Sequence, residues 1–219
     1  MFAFSFIEQL GIRAQNRFSY CLQPWSSGQV MNTLLRFGDD AKFGAGQQVS
    51  TARLEHERLP EYHLYLNDIT IAGTRLYFPP GSFELQPDGS GGCVIDVGAP
   101  FTSMHRQHYN RVTSVLYPMF RGLRHRPGAY EGLEYCYLMP TRGGYNFNFP
   151  SMIFHFGAAE FVVRPEQLFL ILERAFCLAI RLENDRYMPM VIGNYMQANY
   201  RMIYNLSAMQ LFWAREECN

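Results

Sequence analysis

Apolar and polar positions along this 219-residue chain recur mostly with the period of a strand. Tyr62-His-Leu-Tyr-Leu-Asn-Asp-Ile-Thr-Ile71 alternates as a half-buried strand does, and Ala72-Gly73-Thr74 supplies the turn. Arg75-Leu-Tyr-Phe78 reads as the return strand, stopped by Pro79-Pro80-Gly81. A glycine-rich turn, Pro87-Asp88-Gly89-Ser90-Gly91-Gly92, then leads into the apolar run Cys93-Val94-Ile95, which ends on Asp96. Beyond that point the period changes. Tyr109, Val112, Leu116 and Phe120 recur at helical spacing and predict a helix over roughly 103–118. Further strands are predicted at 151–156, 160–164, 168–172, 176–182, 188–192, 197–204 and 209–214. The segments 38–52 and 121–131 read as exposed loops, rich in Gly, Gln or Arg. With no internal repeat and no linker, residues 1–219 are expected to form a single all-β domain, mostly antiparallel, with one significant helix.

Composition narrows the partners more than it changes that picture. Hydrophobic residues make up 48% and charged residues 17%, a globular balance, and 18 Phe with 14 Tyr favour β-rich structure. The formal net charge is zero and no Lys/Arg run occurs, so a nucleic-acid partner is not expected. No run of 18 apolar residues occurs, so no membrane span is expected either. The opening Met1-Phe-Ala-Phe-Ser-Phe-Ile7 has no basic start, and its apolar run ends at Glu8, too short for a secretory leader.

The five cysteines, Cys21, Cys93, Cys136, Cys177 and Cys218, form no CxxC pair and have no His at ligand spacing, so neither a zinc site nor another cofactor is expected. Their wide spacing in a β-rich chain suits disulfides and an oxidising compartment, with one thiol left over. The triplet Asn205-Leu206-Ser207 points the same way, because it matches an N-glycosylation acceptor. Secretory chemistry without a leader reads as part of a longer protein. His105 and His108, three apart on the predicted helix, could pair on a metal, but no carboxylate or cysteine completes a set and they read as surface residues. Arg121, Arg124, His125 and Arg126 read as a solvated loop.

One segment carries candidate chemistry. Gly92-Cys-Val-Ile-Asp-Val-Gly-Ala99 delivers the carboxylate of Asp96 into a glycine turn, and Val191-Ile192-Gly193 follows about a hundred residues later. With these belong Arg17-Phe-Ser-Tyr-Cys-Leu22, Pro79-Pro-Gly-Ser-Phe83, Pro150-Ser-Met-Ile-Phe-His-Phe-Gly157, Phe176-Cys-Leu-Ala179, Val191 to Tyr200 and Tyr204 to Cys218. In that order these blocks resemble the C-terminal lobe of plant pepsin-like aspartic proteases, the group that includes nepenthesins and xylanase-inhibitor-like proteins. The resemblance implies two lobes, each donating one aspartate, with Asp96 at the catalytic position of the second and residues 1–20 near the inter-lobe crossing. An N-terminal lobe, with the first catalytic turn and the flap, is then expected to be missing from these residues. The resemblance also implies Cys21–Cys218 and Cys136–Cys177 bridges, leaving Cys93 as the odd thiol, and a secreted or vacuolar destination.

The chemistry it implies needs two carboxylates about 3 Å apart that share one proton, so that one acts as base on water and the other as acid toward the carbonyl. A second strand-Asp-x-Gly turn does not occur here. The family pattern is Asp, Ser or Thr, Gly, then Thr or Ser; this chain has Asp96, Val97, Gly98 and Ala99, followed by Pro100. In the family the first hydroxyl locks the loop to the opposite lobe and the second orients the aspartate. The expectation is an aspartic-type endopeptidase homologue, inactive as an isolated chain, whose partners would be an N-terminal lobe and a polypeptide substrate. The alternatives are a decayed binding or inhibitor module directed at a glycosidase, and a truncated product with no function of its own.

Overall fold

The computed structural model describes residues 6–25, 33–55, 61–139 and 148–218. The start of the 1–20 segment lies outside them. The chain packs as two compact units, Glu61–Met196 on the one hand and Met1–Pro60 with Gln197–Asn219 on the other.

The Glu61–Met196 unit is built round the strand Cys93–Ile95, all three residues of which are buried. Burial on both faces is what a continuous apolar run, as opposed to an alternating one, prescribes. Met190–Ile192 lies beside it in parallel, with Met190 opposite Cys93 and Ile192 opposite Ile95. His63 pairs antiparallel with Val94 on the other flank. After the Asp96 turn the chain returns as Thr102–His105, which meets Val191 at Ser103 and runs parallel to Ile180–Glu183. The helix Arg106–Leu116 follows, continued by a 3-10 turn over Tyr117–Phe120. Tyr109, Val112, Leu116 and Phe120 are its buried face, as their spacing predicts, but the helix begins at Arg106 because Thr102–His105 is taken up by the sheet.

A second sheet joins Ala159–Val163, Met152–Phe156, Asp68–Ile71 and Thr74–Arg75. Asp68 is 5% exposed there. Burial pushes its carboxyl up, but the Arg75 guanidinium and the N–H groups of Ile69 and Phe78 outweigh burial and hold it below the usual range. A third sheet joins Phe169–Ile171, Ala175–Leu178 and Cys136–Leu138, and Cys136 and Cys177, directly opposite each other, are disulfide-bonded. Phe120 meets Phe176 at 4.9 Å and Tyr137 at 5.6 Å between ring centroids, so the helix end docks on this sheet through aromatic rings.

The other unit is an antiparallel sheet in the order Ser50–Glu55, Gln210–Arg215, Tyr200–Asn205, Arg17–Cys21, Arg36–Phe37. Cys21 is bonded to Cys218, and Tyr20 Oη donates to Gln197 at 2.6 Å. Arg201 pairs with Glu216 through two hydrogen bonds, and that guanidinium holds the Glu216 carboxyl below its ordinary range.

Several predicted boundaries are corrected. The strand read over Tyr62–Ile71 divides into His63–Leu64 and Asp68–Ile71, which serve different sheets, and the return strand read over Arg75–Phe78 is Thr74–Arg75. The loop read over 38–52 ends early, because the strand Ser50–Glu55 begins inside it; Ala52 and Leu54 are buried and alternate with exposed Thr51 and Arg53, a short period hidden by the Gly/Gln-rich lead. The strand read over 168–172 is Phe169–Ile171, shortened at its start because Leu168 closes the helical turn Pro165–Leu168. The strand read over 176–182 divides at Ala179 into Ala175–Leu178 and Ile180–Glu183, which serve different sheets. An apolar run records burial, not a change of partner.

Candidate functional site

Asp96 is the first residue past the buried strand, and Asp96, Val97 and Gly98 are exposed. Its own N–H still belongs to the sheet, donating to Ile192 O at 3.1 Å. The chain then doubles back, and the Gly98 N–H donates to Asp96 Oδ1 at 2.7 Å. A charge-assisted bond of this kind orients the carboxylate. A Cβ on Gly98 would sit 3.1 Å from that same oxygen, so a side chain here would press on the Asp96 carboxylate.

The turn is clamped from behind by residues that follow the neighbouring strand. Asn194 N–H donates to Ala99 O at 2.8 Å, Asn194 Nδ2 to Val97 O at 2.9 Å, and Tyr195 N–H to Pro100 O at 3.1 Å. Gly193 N–H reaches the buried Thr102 Oγ1 at 3.2 Å, and that hydroxyl lies 2.9 Å from Met196 Sδ. Gly193 passes so close to the returning chain that an added Cβ would meet the Phe101 carbonyl carbon at 2.4 Å and the Thr102 nitrogen at 2.8 Å. Sequence reasoning singled out Val191-Ile192-Gly193 but not the part played by Asn194. No local pattern signals that part, because the carbonyl it binds lies 97 positions away.

Val97 is 44% exposed and Ala99 is half-buried, and neither carries a hydroxyl. The turn therefore presents a carboxylate oriented by main-chain N–H, without side-chain donors at positions 97 and 99. Cys93, three residues upstream, belongs to neither disulfide and has no exposure.

The other candidate positions lie elsewhere. At the opposite end of the same strand, a cavity of about 430 Å³ is lined by Gly91, Gly92, His105, His108, Tyr187 and Met190 among others. His108 is half-buried, which corrects its reading as a surface residue: its ring packs 4.5 Å from Phe83 and 5.2 Å from Phe78 between centroids. Burial, with a smaller contribution from His105, lowers its pKa to about 4. Among the described residues no group of three His, Cys, Asp or Glu side chains could hold a metal. Arg121, Arg124, His125 and Arg126 are exposed, on a loop laid along the Cys136–Leu138 strand by the bonds Arg126 N–H to Cys136 O and Leu138 N–H to Arg124 O.

His108 gives a pH dependence of definite sign. An unfolded His takes a proton near pH 6.5, and the folded ring rejects it until pH falls to about 4. The unfolded state therefore binds the extra proton, and stability is expected to fall as the pH drops through that interval. The ceiling is one proton, about 1.4 kcal/mol per pH unit, lowered by solvent screening of a partly exposed ring. Urea midpoints measured across the interval should slope down toward acid, and His108→Phe should flatten the slope. An unchanged slope in the variant would assign the acid sensitivity to other groups.

Residues 61–215 match the family described as xylanase inhibitor C-terminal. The chain is 25% identical over 205 residues to aspartic proteinase nepenthesin-1 of Nepenthes gracilis, covering 92% of this chain and 46% of the relative. It is 26% identical over 219 residues to aspartyl protease family protein 2 of Arabidopsis thaliana, covering 98% of this chain and 43% of the relative. The chain thus spans about half the length of the curated relatives it matches. Two solved structures share its fold. The structure of edgp superposes with a TM-score of 0.73 at 14% identity, covering 91% of this chain and 54% of that one. Basic 7S globulin from soybean superposes with a TM-score of 0.66 at 15% identity, covering 91% and 50%. With the family matched over most of the chain and the Asp96 turn set between its strands, the chain belongs to the xylanase inhibitor C-terminal family and is built as the C-terminal lobe of a plant pepsin-like aspartic protease.

Proposed function

We propose that these 219 residues form the Asp96-bearing half of an aspartic endopeptidase site and do not hydrolyse peptides by themselves. The observation that carries this reading is the exposed carboxylate of Asp96, held at the end of a buried strand by the Gly98 N–H. That is the presentation one half of a proton-sharing dyad requires. The other half must come from a second strand-Asp-x-Gly turn, and Asp96-Val97-Gly98 is the one Asp-x-Gly triplet in this sequence. Without a second carboxylate about 3 Å away there is no shared proton and no acid to protonate the carbonyl as water attacks. Val97 and Ala99 weaken the site further, by roughly the hundredfold that loss of a catalytic hydrogen bond costs. Two disulfides suit an oxidising compartment and support a secreted or vacuolar destination.

The test is hydrolysis of an acid-denatured protein at about pH 3–5, where a shared-proton dyad works. The chain alone is expected to be silent. Mixed or co-folded with the N-terminal half of a nepenthesin-type relative it should gain weak activity that Asp96→Ala abolishes. Hydrolysis by the chain alone, or complemented activity that survives Asp96→Ala, would sink the proposal.

A second reading, a binding module directed at a glycosidase, draws on one observation: apolar groups stand at both hydroxyl positions, and Val97 is 44% exposed. Stoichiometric capture of a xylanase without proteolysis, lost on substitution of Val97, would favour it.

A further inference from the structure

Asn205-Leu206-Ser207 is the one Asn-x-Ser/Thr triplet in the chain, and the Asp96 site makes no use of it. Such a triplet can fall on a buried strand or on an exposed turn, so placement decides what it can do. Here Asn205 closes the strand Tyr200–Asn205 and stands opposite Gln210, the first residue of Gln210–Arg215, so Leu206 to Met209 form the tip of a hairpin. Tyr204, one residue earlier, is only 2% exposed, whereas Asn205 is half-buried and Ser207 and Ala208 are exposed.

The amide of Asn205 is already oriented. Ala208 N–H donates to Asn205 Oδ1 at 3.1 Å, which turns the carbonyl oxygen back into the hairpin loop. Nδ2, the atom that would carry a sugar, makes no hydrogen bond among the described residues. The Ser207 hydroxyl, which the sequon requires, meets only the exposed Asn16 Nδ2, at 3.3 Å, in a contact solvent can replace. Independently, the Cys21–Cys218 and Cys136–Cys177 bridges assign folding to the oxidising compartment in which N-glycans are added.

We propose that Asn205 is an N-glycosylation site, taking an oligosaccharide from a lipid-linked diphosphate donor. In the transfer, Asn205 Nδ2 attacks C1 of the reducing-end sugar and a C1–N bond forms. The C1–O bond to the diphosphate breaks, the electron pair leaves with the lipid diphosphate, and one amide proton is lost to the transferase's base. No redox partner is needed. The glycan then stands at the hairpin tip with Oδ1 free to keep its bond to Ala208, so the fold accommodates the bulk without losing a described contact.

The test directs the full chain into the endoplasmic reticulum of a eukaryotic host behind a cleavable leader. The Asn205 peptide is then read by mass spectrometry before and after amidase release of N-glycans. The unsubstituted chain should carry one glycan, and release in heavy-oxygen water should leave a labelled Asp at position 205. The gel shift should vanish in Asn205→Gln and Ser207→Ala and persist in Ser207→Thr. Protein with both disulfides formed and an unmodified Asn205 peptide overturns the proposal, as does a glycan shift that survives Asn205→Gln. The decisive measurement is made on the unsubstituted chain, so a variant that fails to fold leaves the result intact.

Discussion

Gly193→Ala is expected to destabilise the protein by about 3 kcal/mol or more, a large share of the 5–15 kcal/mol by which domains are ordinarily stable. The cause is local and steric. The methyl group would lie 2.4 Å from the carbonyl carbon of Phe101, 2.6 Å from its oxygen and 2.8 Å from Thr102 N, so main chain and not a flexible side chain must give way. Relief can come only by separating Gly193 from the returning strand. That breaks the Gly193 N–H bond to Thr102 Oγ1 and withdraws Asn194 from Val97 O and Ala99 O. The substitution should therefore lower the urea midpoint and raise protease sensitivity at the Asp96 turn together. Gly44→Ala, where the new methyl would meet Gln47 Oε1 at an ordinary 3.5 Å, is the control and should change little. Equal midpoints for the two variants would refute the close-packing account.

Removing the disulfides should have effects of similar or greater size, in a definite order. Cys21 and Cys218 are 197 residues apart in sequence and Cys136 and Cys177 are 41 apart. Cross-linking removes loop-closure entropy from the unfolded chain in proportion to the logarithm of the loop, which gives about 5 kcal/mol for the long bridge and about 4 kcal/mol for the short one. Paired Cys→Ala substitutions, followed by denaturant melts, should reproduce that order, and reduction of the unsubstituted protein should cost more than either pair. The short bridge proving the more costly would mean that packing in the Cys136–Leu138 and Ala175–Leu178 strands, not chain entropy, sets its contribution.

The sequence revealed the strands that repeat a local pattern. The apolar run Cys93-Val94-Ile95 states its burial on both faces outright, whereas the alternation of Tyr62 to Ile71 does not show that it divides into His63–Leu64 and Asp68–Ile71, which serve different sheets. The helix was legible from Tyr109, Val112 and Leu116, because those positions share one face whatever they pack against. What stayed hidden was pairing. Nothing local says that Met190–Ile192 lies between Cys93–Ile95 and Thr102–His105, or that the chain changes sheets at Ala179. The same limit applied at the site. Asp96, Val97 and Ala99 could be read from one short segment, whereas Asn194 acts on a carbonyl 97 positions away and has no local pattern to announce it. His108 was misread because its aromatic neighbours, Phe78 and Phe83, come from a different part of the chain.

The Asn194 clamp takes hold of main-chain oxygens at Val97 and Ala99 and touches no atom specific to either side chain. The shape of the turn is thus insulated from what those two positions carry. Substitution at either position is therefore expected to change the chemistry the turn offers while leaving the path of its main chain, and the placement of the carboxylate, as they are.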